Sequence, residues 1–186
     1  MTYNFQRSLD FVFRHECVFA PGHDGDPGYV LPENVSGDDG GLTKFGIDAA
    51  DHPGLDVALL TSGQAAAIYR DGEWTHCLCD QLPEGIDTAV FDCAVNNGVP
   101  VAGILLQRAL GSFEFPVAVD GEIGPATIWA AAAAHAKCGW PFTVRLLALR
   151  RQRYQDIALH NPALAKFLKG WLARVDDLER FLQSTI

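Results

Sequence analysis

Proline and glycine cut the second half of this chain into segments too long for strands and too regular for loops. Pro83 precedes a helical pattern over residues 84–97, which Gly98 closes. Pro100 opens the next pattern, residues 101–110, stopped by Gly111. Gly124-Pro125 introduces residues 126–136, ended by Gly139, and Pro141 begins a run to His160 that Asn161-Pro162 breaks. Proline fits the first turn of a helix, where its missing N–H has no partner to lose. Glycine supplies the left-handed conformation that ends one. The segments carry apolar residues at helical spacing: Ile86, Ala89, Val90, Cys93 and Ala94 in the first, and Phe167, Leu168, Trp171, Leu172, Val175, Leu178 and Leu182 in a final helix over 163–183. Strands do not alternate with these helices, so a doubly wound sheet is excluded and a mainly α fold is expected.

The first half reads differently. Residues 4–17 form an amphipathic helix whose stripe is Phe5, Leu9, Val12 and Phe13, and Glu16 falls in the middle of that stripe. Residues 20–41 are loop-like, with turn signals at Pro21-Gly22, Asp26-Pro27-Gly28, Leu31-Pro32 and Gly40-Gly41. A short strand or hairpin arm is expected over 42–47, then a helix over 62–70 with Ser62 as its N-cap. Residues 74–82 give no clear period.

Composition removes several function classes. With 186 residues and 48% hydrophobic content the chain can build a sizeable core, as one domain or as two lobes sharing one. The net charge of −9 argues against a nucleic-acid partner, because phosphate contacts need Lys and Arg. Residues 1–144 carry −13 and residues 145–186 carry +4, an asymmetry able to orient the protein on a charged polymer. No apolar run reaches the length of a membrane span, and the N-terminus lacks a signal-peptide pattern. Five cysteines at irregular spacing make no disulfide framework and fit a reducing cytoplasm. His76 with Cys77-Leu78-Cys79 has one residue between thiols where zinc sites usually have at least two, and no second pair follows.

A carboxylate on an apolar stripe is costly unless it is paired, protonated or facing a cleft. By itself Glu16 is as well explained by a salt bridge or a frayed last turn as by chemistry. Glycoside cleavage, however, needs a carboxylic acid kept protonated by burial, a second group that stabilises an oxocarbenium-like transition state, and a placed water. Glu16 suits the first role, Asp38 or Asp39 on the loop the second, and the Thr43 hydroxyl the third.

These residues resemble the catalytic stretch of glycoside hydrolase family 108, lysozyme-like N-acetylmuramidases of phages, prophages and bacteria. The likeness rests on Glu16, an acidic residue before Gly40-Gly41-Leu42-Thr43, and Phe45-Gly46-Ile47. It continues through Phe91–Gly98, Leu106–Gly111, Asp120–Thr127, Arg150–Tyr154 and Phe167–Val175. It implies a mainly α, lysozyme-like fold: one compact two-lobed helical domain with at most a small β-hairpin near the active-site loop. Residues 1–98 would be the catalytic lobe and residues 99–186 a helical peptidoglycan-binding-like lobe.

The implied activity is cleavage of the N-acetylmuramic acid–N-acetylglucosamine bond of peptidoglycan without a cofactor or metal. Glu16, Asp38 and Thr43 would be catalytic, and Asp39, Asn96 and Asn97 would bind substrate. Asp38 stands five residues before the threonine, as the family's aspartate does, and Asp39 replaces its proline and is the fallback for Asp38. Two features depart from the pattern. Cys17-Val18 stands where the family has Gly-Gly, and the loop before Asp38 is longer by about a dozen residues. Peptidoglycan is the implied partner, with neither nucleic acid nor membrane. Made in the cytoplasm without a signal peptide, the protein would act in the periplasm or at the cell wall, as an endolysin or antibacterial effector, delivered with a holin, an immunity protein or a secretion machine.

Two other readings compete. One is a relative that only binds peptidoglycan, motivated by the lost glycines and the longer loop. The other is a cysteine amidase or peptidase using Cys17 or Cys93 with His15, His52 or His76, although nothing places a thiol at a helix N-terminus beside a base.

Overall fold

The computed structural model describes residues 2–34 and 41–184, side chains from residue 4 onward. The chain forms two compact units, Thr2–Gly72 and Glu73–Ile186. The described residues include seven α-helices and two small antiparallel sheets, so the fold is mainly α, as expected.

The first unit is built on helix α1, Thr2–Glu16. Phe5, Leu9, Val12 and Phe13 are all buried, and Phe11 joins them. Ser8 lies on the same side and is satisfied by donating to the Asn4 carbonyl at 2.7 Å. The helical bonding runs one residue further, with Cys17 N donating to Phe13 O at 3.0 Å.

The following stretch holds more order than its turn residues suggest. Strand β1, Val18–Phe19, pairs with β2, Val30–Leu31, and closes the intervening loop into an antiparallel pair. Within it Asp26 caps a short 3₁₀ turn, Pro27–Tyr29, by accepting from Gly28 N at 2.9 Å. The Tyr29 ring stacks on His23 at 3.6 Å. Val18 and Phe19 are residue types that favour extended pairing, and turn signals do not register that preference.

A second sheet orders β3, Glu33–Asn34, beside β4, Leu42–Lys44, beside β5, Ile47–Asp48. The expected hairpin is β4–β5. A capped helix, α2, Ser62–Tyr69, completes the unit. Its N-cap is Thr61 rather than Ser62, because Thr61 and Gln64 form a reciprocal box: Gln64 N donates to Thr61 Oγ1 at 3.3 Å and Thr61 N to Gln64 Oε1 at 2.9 Å.

The second unit packs around helix α3, Ile86–Asn97, whose residues from Ile86 to Ala94 are all buried. A helix buried all round is a core helix, and its polar residues need internal partners. Asp92 has two: Arg150 Nη1 at 2.5 Å and Arg174 Nη2 at 2.7 Å. Those arginines sit on α6, Trp140–His160, and α7, Leu168–Gln183, so one carboxylate fastens both closing helices to the core.

Helix α4, Val99–Gly111, precedes α5, Pro125–Cys138. The loop between them is tied down by Gln107, which accepts from Gly121 N at 2.9 Å and donates to Asp120 Oδ1 at 2.7 Å. A Cβ on Gly103 would lie 2.2 Å from the Gly121 carbonyl oxygen, so that position admits only glycine. The Asp120–Thr127 stretch thus has a structural explanation. The last helix starts at Leu168 rather than residue 163, because Asn161-Pro162 leads into a 3₁₀ segment, Pro162–Phe167.

Candidate active site

The site is organised by a two-residue turn. Lys44 and Ile47 are ladder partners, joined by Phe45 and Gly46 at φ +58° and +76°. Positive φ at both central residues is the type I′ hairpin turn, which matches the natural twist of the strands. Glycine takes that conformation freely, whereas phenylalanine pays about 1 kcal/mol for it. Tertiary contacts hold Phe45 there. Its ring is buried and lies 5.1 Å from that of Phe13, and its carbonyl accepts from the Tyr69 hydroxyl at 2.9 Å.

Gly46 then meets Glu16. A Cβ at position 46 would stand 2.8 Å from Glu16 Cβ, 3.2 Å from Glu16 Cγ and 2.7 Å from Tyr69 Oη. The last residue of α1 is therefore seated against the hairpin turn. Glu16 is half-buried there, at the end of α1.

Thr43 occupies the central strand of the three. It is paired with Glu33 on one side and Asp48 on the other. Residues directly opposed in antiparallel strands project from the same face, so Glu33, Thr43 and Asp48 form one row of half-buried polar side chains. Asp48 is committed to the following turn through Asp51 N, at 2.8 Å. Glu33 was not singled out in the sequence. The signal that finds it is strand pairing, which needs the register of β3 against β4.

Cys17 marks where these groups meet. Burial, then the carboxylates of Glu16 and Glu33, pushes its thiol up to about 12. Cys93 is pushed up to about 11, by burial first and with Arg150 opposing. Cys79 is also raised, by burial and by a hydrogen bond with Cys77. All three shifts run opposite to the lowered thiol that a cysteine hydrolase uses.

Glu16 and Thr43 are thus in one unit, with Glu33 beside them. Asp38 and Asp39 lie outside the described residues; Asn34 and Leu42, which flank them in the chain, are ladder partners. Asn96 and Asn97 end α3 in the other unit. Tyr154 donates to Asn96 Oδ1 at 2.5 Å. Asn97 donates to Tyr154 Oη at 2.9 Å and accepts from Arg153 Nε at 3.3 Å.

A mainly α fold with a carboxylate seated on a hairpin turn has the features of a lysozyme-like protein. Residues 11–98 match the family described as glycosyl hydrolase 108, and residues 101–176 match a predicted peptidoglycan domain. The chain is thus similar to proteins that join a glycosyl hydrolase 108 segment to a predicted peptidoglycan domain. Among solved structures it shares its fold with that of Brucella abortus SagA, at 24% identity and a TM-score of 0.76, covering 99% of this chain and 96% of that one. No curated protein sequence matches it.

Proposed function

We propose that the protein is a muramidase that cleaves the N-acetylmuramic acid–N-acetylglucosamine bond of peptidoglycan and so lyses bacterial cell wall. Glu16 is the general acid, donating its proton to the leaving glycosidic oxygen. Asp38, with Asp39 as the alternative, supplies the second carboxylate, and the Thr43 hydroxyl orients the attacking water. Asp39, Asn96 and Asn97 contact substrate. The functional division follows the two family matches, with residues 1–98 catalytic and residues 99–186 binding the wall.

One observation carries this reading: Glu16 is held against Gly46, in the turn of the hairpin whose central strand bears Thr43. A rigid seat for the acid is what proton donation requires, since the donor must reach the leaving oxygen in a fixed geometry. The glycosyl hydrolase 108 match over the same residues supports it. As an antibacterial enzyme acting in the periplasm or at the wall, the protein would depend on a holin, an immunity protein or a secretion machine for delivery or control.

The test is Glu16→Gln assayed for new reducing ends from purified peptidoglycan. General acid catalysis is worth about 10² to 10⁴ in rate, so a loss of that size is expected while the thermal midpoint is kept. Undiminished lysis by the variant rules the assignment out.

A second reading has its own observation. Cys17-Val18 leads directly into the β1–β2 pair, where the family's glycines would leave the backbone free. A binding-only protein would sediment with insoluble peptidoglycan and release no reducing ends.

A further inference from the structure

Helices α4 and α6 of the second unit line an open pocket of about 370 Å³. Its floor is aliphatic, formed by Val101, Ile104, Leu149 and Ile157. Arg108 comes from one wall, and Arg153, Asp156 and His160 from the other, with the His160 ring nitrogen Nδ1 2.7 Å from the Asp156 carbonyl. Asp156 is oriented by Gln152, whose amide donates to it at 2.9 Å. Arg153 is anchored through its Nε to Asn97. The planar guanidinium has further N–H donors in a fork suited to a carboxylate.

We propose that this pocket binds the stem peptide of peptidoglycan rather than its glycan. The inference deepens the muramidase reading and rests on it for the identity of the polymer.

Three observations select the peptide. First, no Trp, Tyr or Phe is among the described residues that line the pocket, whereas sugar rings are usually gripped by aromatic faces. Second, the aliphatic floor matches the methyl groups of alanine residues. Third, the charges are complementary. Two arginines face a peptide bearing several carboxylates, and one aspartate matches the single free amine of a diamino acid. The volume is at the small end for ligand pockets, fitting a few small residues and not an extended saccharide. The predicted peptidoglycan domain spans every residue of the lining, and nothing in that match says which part of the polymer is held.

The test is calorimetry on the full chain with two probes. One is a synthetic stem tetrapeptide of alanine, D-glutamate, a diamino acid and D-alanine; the other is the peptide-free disaccharide. The tetrapeptide should bind and shift the methyl signals of Ile104 and Ile157 in NMR spectra. Arg108 is exposed, so Arg108→Glu should fold normally; loss of one charge-assisted contact predicts binding weaker by about tenfold or more. Absence of tetrapeptide binding, unchanged affinity in Arg108→Glu, or methyl shifts confined to other residues would each overturn the proposal.

Reducing-end release from glycan stripped of its peptides separates this inference from the reading beneath it. Cleavage of that glycan without tetrapeptide binding removes the pocket assignment and leaves the muramidase. Tetrapeptide binding at Ile104 and Ile157 without cleavage of any glycan supports the pocket and removes the muramidase.

Discussion

Gly46 and Glu16 are in such close approach that no side chain fits between them: a Cβ on Gly46 would lie 2.8 Å from the Cβ of Glu16. The turn between β4 and β5 and the last residue of the first helix are thereby brought into contact. The contact also explains why a glycine is needed for two independent reasons, space and a φ of +76°.

Gly46→Ala should therefore disturb the site as well as the fold. Left-handed strain and the overlap together predict a destabilisation of about 2–4 kcal/mol. Under the proposed function, wall lysis should fall at temperatures where the variant remains folded, since Glu16 or Tyr69 must move. Full activity at full occupancy of the folded state would count against Gly46 as the seat of the acid.

Tyr69→Phe removes only the hydroxyl that donates to the Phe45 carbonyl. A single neutral hydrogen bond predicts a loss of about 1 kcal/mol, measured by urea unfolding. The turn then keeps its packing but loses one restraint, so activity should drop by less than in Gly46→Ala. The reverse order would show that the turn is held mainly by the hydroxyl.

Cys17 offers a pH readout of the carboxylates around it. With its thiol pushed up to about 12, alkylation of the folded protein should be slow at neutral pH and climb with pH well past the usual thiol range. Glu33→Gln removes one of the charges that raise it, so the alkylation profile should move to lower pH. An unmoved profile would separate Glu33 from Cys17 and weaken the case for Glu33 in the site.

Asp92 sets the acid limit of the second unit. Burial alone would raise its carboxyl, but the charges of Arg150 and Arg174 outweigh that and hold it below its ordinary value of 3.8. A depressed carboxylate contributes stability that is complete above the unfolded value and is lost as pH falls through the lower folded one. Asp92→Asn should cost about 3–5 kcal/mol near neutral pH, because two buried guanidiniums lose their counter-charge. The penalty should shrink below pH 3.8. A penalty that is constant with pH would mean the pair contributes shape rather than charge.

Much of this was legible in the sequence where local rules decide. The proline and glycine breaks located helices α3 to α6 to within a few residues, and the apolar stripe of α1 is buried as its period requires. Thr61 displaced Ser62 as a cap because both residues are good caps and only the reciprocal bonds to Gln64 decide between them. The β1–β2 pair was hidden because each strand is two residues long, too short for alternation to register. The positive charge of residues 145–186 read as an asymmetry able to orient the protein on a charged polymer, yet Arg150 within it is buried on Asp92.

The sequence by itself determined the helical class and the placement of Glu16 at a helix end, since periodicity and capping are properties of neighbouring residues, and its motifs carried the resemblance to a glycosyl hydrolase family. Only the tertiary structure decided what Glu16 touches, that Glu33 shares a face with Thr43, and that Asp92 joins three helices. Those are contacts between residues far apart in the chain. They depend on strand register and helix packing, which the closing of the fold fixes and no local pattern encodes.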